Sequence, residues 1–231
     1  MNAPPLLVSV HLPKTAGTSF ASTLQAAFGA AYRDDYADLP MQHPRLTRQW
    51  CALRAGWALR GTLPDEVACI HGHFLPLKYR IALAARPAHY VTWLRDPVER
   101  IASHYAFWRR DYDGSDPAQP LRNRMLREDW SLERFALGPE LRDVYRRYLW
   151  GFDPARFAFV GITERYAEDL PRFARRFLGG SEATVGSALV NPERGDAGYA
   201  IDSTLRRRIE RHHAGDVALY RWALQRRGLW A

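Results

Sequence analysis

The chain has 231 residues, 47% of them hydrophobic, 13% aromatic and 25% charged. That is enough apolar material for a sizeable core, and the balance excludes a disordered, collagen-like or coiled-coil protein. Lys+Arg number 33 against 25 Asp+Glu, a net charge of +8 with a pI near 9.8. Such an excess favours an anionic partner: nucleic acid, a membrane surface, or a small molecule bearing phosphate or sulfate. Cys51 and Cys69 form no Cys-x-x-Cys pattern and have no companion histidine pair, so neither a disulfide framework nor a zinc site is signalled. No apolar run approaches eighteen residues, and Met1–Pro5 lacks the basic flank and cleavage pattern of a signal peptide. A soluble, reducing, cytoplasmic setting is therefore expected.

In chain order, Leu6–His11 is a short apolar run expected as a buried strand. Thr18–Phe28 spaces Phe20, Leu24 and Phe28 four apart as a helix, with Gly29 as its stop. Val67–His71 and His89–Leu94 are the second and third strands. The clearest helix start follows: Asp96 as N-cap, Pro97 at the first helical position, and Glu99 completing a capping-box spacing. Val98, Ile101, Ala102, Tyr105 and Trp108 then form one apolar stripe. Asp111–Pro120 and Gly179–Gly198 are loops, neither long nor polar enough for a domain linker, so one domain over residues 1–231 is expected. Phe157–Gly161 is a fourth strand. In Tyr166–Leu178, Pro171 interrupts the periodicity and moves the expected helix start to about Asp169. Ser203–His213 and Asp216–Arg227 are two more helices, the second closed by Gly228. Strands alternating with helices predict an α/β fold with a parallel sheet covered on both faces.

Ligands of such sheets sit at the carboxyl ends of the strands. After the first strand, Lys14-Thr15-Ala16-Gly17-Thr18-Ser19 lets backbone N–H groups approach an anion at a helix N-terminus, with Lys14 as a compact cation and Thr18 and Ser19 as hydroxyl donors. The Gly-Lys-Ser/Thr order of Walker A is absent, and taken alone the loop is equally an ordinary tight turn. The second strand ends in His71-Gly72-His73. No carboxylate or cysteine nearby completes a metal set; at this sheet edge one of the two suits a proton acceptor, the alternative being loop histidines satisfied by backbone. Arg95 follows the third strand at a helix N-terminus, placed for a phosphate oxygen. Ser103 lies off the apolar stripe and is otherwise a solvent-facing serine.

Pro13–Phe20, His71-Gly72-His73 and Arg95–Ser103 together resemble the carbohydrate sulfotransferases, in particular the heparan sulfate 2-O-sulfotransferase group and its bacterial relatives. Phe159–Glu164 and Asp216–Tyr220 are similar to that family as well. The resemblance implies a P-loop-like parallel sheet flanked by helices, and transfer of a sulfuryl group from 3′-phosphoadenosine 5′-phosphosulfate to a hydroxyl, without a metal. It assigns Lys14, Thr15, Ala16, Gly17, Thr18 and Ser19 to the 5′-phosphosulfate, Arg95 and Ser103 to the 3′-phosphate, and the base to His73, with His71 supporting or as the alternative base. The animal members carry a membrane anchor and a lumenal stem, and none is evident here, which leaves the acceptor open: a hydroxyl compound, with an anionic saccharide as one candidate. Two other readings compete. A P-loop kinase or nucleotide hydrolase shares the anion site but lacks Gly-Lys-Ser/Thr and a clear acidic magnesium site. A nucleic-acid-binding module would use Arg146-Arg147, Arg175-Arg176 and Arg206-Arg207-Arg208, although such runs are usually solvated helix faces and no nucleic-acid partner is expected.

Overall fold

The computed structural model describes residues 5–110, 112–179 and 199–228. Asp111, and the expected loop at Gly179–Gly198 from residue 180 onward, lie outside the described residues. Among the described residues there are five strands: β1 (Leu6–Val10), β2 (Tyr32–Asp35), β3 (Cys69–Gly72), β4 (Ala88–Leu94) and β5 (Phe157–Ile162). The helices are α1 (Gly17–Phe28), α2 (Arg45–Ala58), α3 (Pro76–Ala82), α4 (Pro97–Arg109), α5 (Pro120–Arg127), α6 (Leu132–Leu137), α7 (Val144–Tyr148), α8 (Tyr166–Phe177), α9 (Ser203–His212) and α10 (Ala214–Arg227). Two compact units divide the chain: Met1–Leu94 with Arg147–Leu189, and Arg95–Arg146 with Val190–Ala231.

The first unit holds the whole sheet, in the order β2-β3-β1-β4-β5, with every pairing parallel. Parallel strands covered on both faces are apolar throughout, and β1, Leu-Leu-Val-Ser-Val, is buried at all five positions. On one face Leu7, Cys69, Val91 and Trp93 meet Phe20 and Leu24 of α1 and Leu170 and Phe173 of α8; each such burial contributes roughly 1.5–3 kcal/mol. On the other face Phe152 packs on Tyr90, ring centroids 4.9 Å apart. The α/β fold with a parallel, helix-flanked sheet is as the alternation predicts.

Several boundaries differ from expectation. β3 begins at Cys69, not Val67, and continues through Gly72, while β1 stops at Val10 and releases His11 into the loop. α8 starts at Tyr166 rather than at about Asp169, so Pro171 sits inside it. Its missing N–H forfeits one helical bond, but Leu170, Phe173 and Ala174 bury the same face. Asp169 does not start that helix; it is buried, and its carboxylate accepts the Ile162 N–H at 2.9 Å, tying α8 to the end of β5.

In the second unit α4 packs against α6, α9 and α10. Asp96 caps α4 as expected, accepting from the N–H groups of Val98 and Glu99 at 2.9 and 3.0 Å. Glu99 does not close the capping box: its carboxylate takes the Arg206 guanidinium at 3.0 Å and the Tyr199 N–H at 3.3 Å. Because several helices surround α4, its burial extends beyond the apolar stripe to Arg100 and Ser103, so Ser103 is not the solvent-facing serine that its place off the stripe allows.

Candidate active site

The carboxyl ends of β1 and β3 bring together the residues of the first unit that the sequence singles out. Beyond β1 the chain passes through a loop in which Lys14 (φ 67°) and Ala16 (φ 63°) both adopt the left-handed conformation. For residues with a Cβ this costs roughly 1–2 kcal/mol each, and left-handed residues flanking Thr15 are of the kind found in backbone turns that bind anions. Ala16 stands at the N-cap position of α1 and no side chain caps the helix, so the first-turn N–H groups are not used inside the helix. Thr15 is buried and its hydroxyl donates to the Leu12 carbonyl at 2.8 Å, leaving only its backbone N–H to serve a ligand. Thr18 is exposed and Ser19 half-buried.

The register continues past the strands: Ser9 pairs with His71 and Val10 with Gly72, and the His11 N–H donates to the Gly72 carbonyl at 2.8 Å. This brings His11 beside the His71-Gly72-His73 element as a third histidine. The three imidazoles stack, His11 lying 4.1 Å from His73 and 5.1 Å from His71 between ring centroids. Two glycines make the stack fit. A Cβ on Gly17 would fall 1.7 Å from His11 Nε2, and one on Gly72 would fall 1.7 Å from the Asp35 carbonyl oxygen of β2. Tyr36 stands edge-on to His73 at 5.1 Å, and its hydroxyl lies 3.3 Å from His11 Nδ1.

Within the stack the two sequence candidates for the base differ. His73 is half-buried, and its Nδ1 lies 2.6 Å from the His11 carbonyl oxygen. A carbonyl only accepts, so Nδ1 carries the proton and Nε2 the lone pair. His71 is 1% exposed; its Nδ1 pairs with the Ser9 hydroxyl at 2.8 Å, and its Nε2 is buried without a hydrogen-bond partner among the described residues. Burial lowers the pKa of His73 despite the His11 carbonyl, and lowers that of His71 to about 4, with His73 adding to the shift. His11 is likewise pushed well down, first by burial and then by His73, His71 and Lys14. All three rings are therefore neutral at pH 7.

No family model matches the chain, and no curated protein does. Among solved structures it is similar to a sulfotransferase from Alicyclobacillus acidocaldarius, at 19% identity over 94% of each chain with a TM-score of 0.49. It is also similar to the mouse sulfotransferase SULT7A1 complexed with PAP, at 11% identity over 94% of this chain and 67% of that one, with a TM-score of 0.43.

Arg95 and Ser103 belong to the second unit. Arg95 is buried and its backbone is fixed by one side chain: the fully buried Tyr145 accepts from the Arg95 N–H at 3.1 Å and donates to the Arg95 carbonyl at 2.8 Å. Its guanidinium lies 4.0 Å from Glu99 and 5.9 Å from the Tyr199 ring centroid. Ser103 lies eight positions on, on α4.

One cluster in this unit has metal-ligand composition, Asp143, His213 and Asp216, but its atoms are engaged. Asp216 accepts from the Tyr145 and Arg146 N–H groups at 3.1 and 3.2 Å. Asp143 accepts from those of Gly215 and Asp216 at 3.1 and 3.3 Å. His213 accepts the Asp143 N–H through Nδ1 at 3.2 Å and donates from Nε2 to Ala136 at 2.7 Å. Asp216, the acid of the Asp216–Tyr220 motif, is thus an anchor that holds the start of α7.

Proposed function

We propose that the chain transfers a sulfuryl group from 3′-phosphoadenosine 5′-phosphosulfate to a hydroxyl acceptor, with residues 1–231 acting as one catalytic domain. The observation that carries this reading is His73: neutral, with its proton held on Nδ1 by a backbone carbonyl and Nε2 left as the acceptor. It stands at the sheet edge from which the left-handed Lys14 loop also departs. The acceptor oxygen attacks sulfur and forms a new S–O bond while its proton passes to His73 Nε2. The bond from sulfur to the bridging oxygen breaks, and its electron pair leaves on 3′-phosphoadenosine 5′-phosphate. Lys14 and the N–H groups of residues 15–19 hold the 5′-phosphosulfate and stabilise charge developing on the bridging oxygen.

His71 supports the stack and does not meet substrate. For Arg95 and Ser103 the support is the motif, which assigns them to the 3′-phosphate; a remote phosphate gives binding energy usable for positioning. Among the described residues no helix is long and apolar enough to cross a membrane. We read the setting as cytoplasmic and the acceptor as a saccharide or glycoconjugate.

Thermal stabilisation by 3′-phosphoadenosine 5′-phosphate, compared with ATP and AMP, tests the donor. It should exceed that by either competitor, and Arg95→Ala or Ser103→Ala should erase the preference over AMP. Lys14→Ala should lower transfer on the order of 100-fold or more while keeping the fold. Stabilisation by ATP with magnesium in place of the donor product would turn the reading to a kinase or nucleotide hydrolase.

A further inference from the structure

A second concavity lies at the opposite end of the sheet from the histidines. Ala88, the first residue of β4, lines a cavity of about 590 Å³ together with residues of α2, α3 and Arg156 of the turn before β5. The seven residues of β4 put about 20 Å of strand between this end and the other, so the cavity is no part of the Lys14 loop. Its volume falls within the range of small-molecule sites.

The lining has a particular chemistry. Arg60, Arg80, Arg86 and Arg156 all line the cavity, and no carboxylate does among the described residues. Arg86 is held rigidly by the carbonyls of Pro64, Asp65 and Val67 at 3.2, 3.2 and 2.6 Å. Tyr90 shares this lining with Arg80 and Arg156; burial raises its pKa, and the two cations act in the opposite direction. Arg60 lies over the Trp57 ring at 5.2 Å. Arg60, Arg80 and Arg156 around one concavity repel one another, a cost that an anion would reverse, and a guanidinium carries the planar fork that matches sulfate or carboxylate, whereas the Arg86 fork is already taken by its three carbonyls.

Trp57 in the lining, and Trp50 beyond it on α2, add an aromatic surface. Trp57 is 61% exposed and Trp50, seven residues earlier on α2, is 64% exposed, which carries the aromatic track about 10 Å along the helix. A lone phosphate or sulfate has no use for two exposed indoles. Alternating ring faces and anionic groups do, since a pyranose ring stacks its C–H face on tryptophan while its substituents reach arginine.

We infer that this cavity binds an acidic oligosaccharide, a chain of sugar rings bearing sulfate or carboxylate groups, at a site distinct from the one where transfer takes place. The choice of a saccharide rests on the proposed function; the anion chemistry rests on the arginines. Such a site would retain a polymeric acceptor, or its sulfated product, between turnovers.

The test is calorimetric titration of the full chain with a sulfated tetrasaccharide and its desulfated counterpart, with no donor present. The sulfated form should bind wild type and Lys14→Ala equally, and the desulfated form at least tenfold more weakly. Arg80→Ala with Arg156→Ala, both at exposed positions, should weaken binding at least tenfold, and Trp57→Ala by a similar factor. Saturating 3′-phosphoadenosine 5′-phosphate should not displace the saccharide. No binding, displacement by that nucleotide, or indifference to the arginine pair would overturn the assignment. So would binding to anionic phospholipid vesicles in place of the saccharide. Failure of sulfuryl transfer at Lys14 and His73 leaves this titration unchanged, and failure here leaves transfer unchanged.

Discussion

His73 and His71 share a motif and differ in what their nitrogens can do. A general base must present a lone pair, and His73, the proposed base, carries one on Nε2 because its Nδ1 proton is donated to the His11 carbonyl. His71 is closed off, with one nitrogen on Ser9 and the other buried. His73→Ala should therefore lower the single-turnover rate by about 10²–10⁴-fold with donor affinity retained. His71→Ala should leave the rate within about tenfold but cost on the order of 2 kcal/mol of stability, since it opens a cavity and strands the Ser9 hydroxyl. Because burial lowers the pKa of His73, the base form prevails above pH 6.5 and activity falls only as pH drops below that value. Rate–pH profiles of both variants check this: the acid limb should survive in His71→Ala and vanish in His73→Ala, and the reverse pattern would exchange their roles.

At the scale of elements, the glycine between these histidines is set by the neighbouring strand. The β2 backbone passes so close that a Cβ at Gly72 would overlap the Asp35 carbonyl at 1.7 Å. Gly72→Ala must therefore push β2 away from β3 and disturb the buried links from Asp35 to Lys78 and Tyr79, at 2.6 and 2.7 Å. The expected result is a loss of roughly 2–4 kcal/mol, read from urea unfolding, together with lost amide protection along β2; retention of both would refute the packing account.

None of β2 was legible in the sequence. Tyr32-Arg33-Asp34-Asp35 is a polar edge strand with little to bury, whereas β1, β3, β4 and β5 announce themselves as apolar runs. The Lys14 loop and His71-Gly72-His73 were visible because each is a local motif at a strand end. His11 and Tyr36 were missed for the opposite reason: His11 joins the stack through the register of β1 on β3, a contact 62 residues apart in the chain, and it looked like the last residue of a strand. The burial of Ser103 is not legible in the sequence, because one helix's periodicity does not reveal how many neighbours surround it.

Across the molecule, the two units differ in their balance of proton-linked groups, and acid should destabilise the first more than the second. In the first unit His11, His71 and His73 all have lowered pKa values. A group with a depressed folded-state pKa stabilises fully above its unfolded value and loses that contribution as pH falls through the folded one. For His71, with a fall from 6.5 to about 4, the loss between pH 7 and pH 5 is about 2 kcal/mol, and the other two act in the same direction. In the second unit His213, also lowered to about 4, is opposed by Asp216, which burial raises from 3.8 to about 6. A raised carboxyl binds its proton more tightly when folded, so it gains stability as pH falls from about 6, offsetting roughly 1 kcal/mol of the His213 loss by pH 5. The exposed carboxylates of this unit with lowered values, Asp113, Asp116 and Glu128, begin to matter only below about pH 4.5. Hydrogen exchange at pH 7 and pH 5, corrected for the intrinsic rate, should therefore show the amides of β1 and β3 losing protection at least tenfold more than those of α4 and α10. Equal losses in the two units would mean that the histidine stack is not held neutral by the fold, and the base assigned to His73 would lose its electrostatic footing.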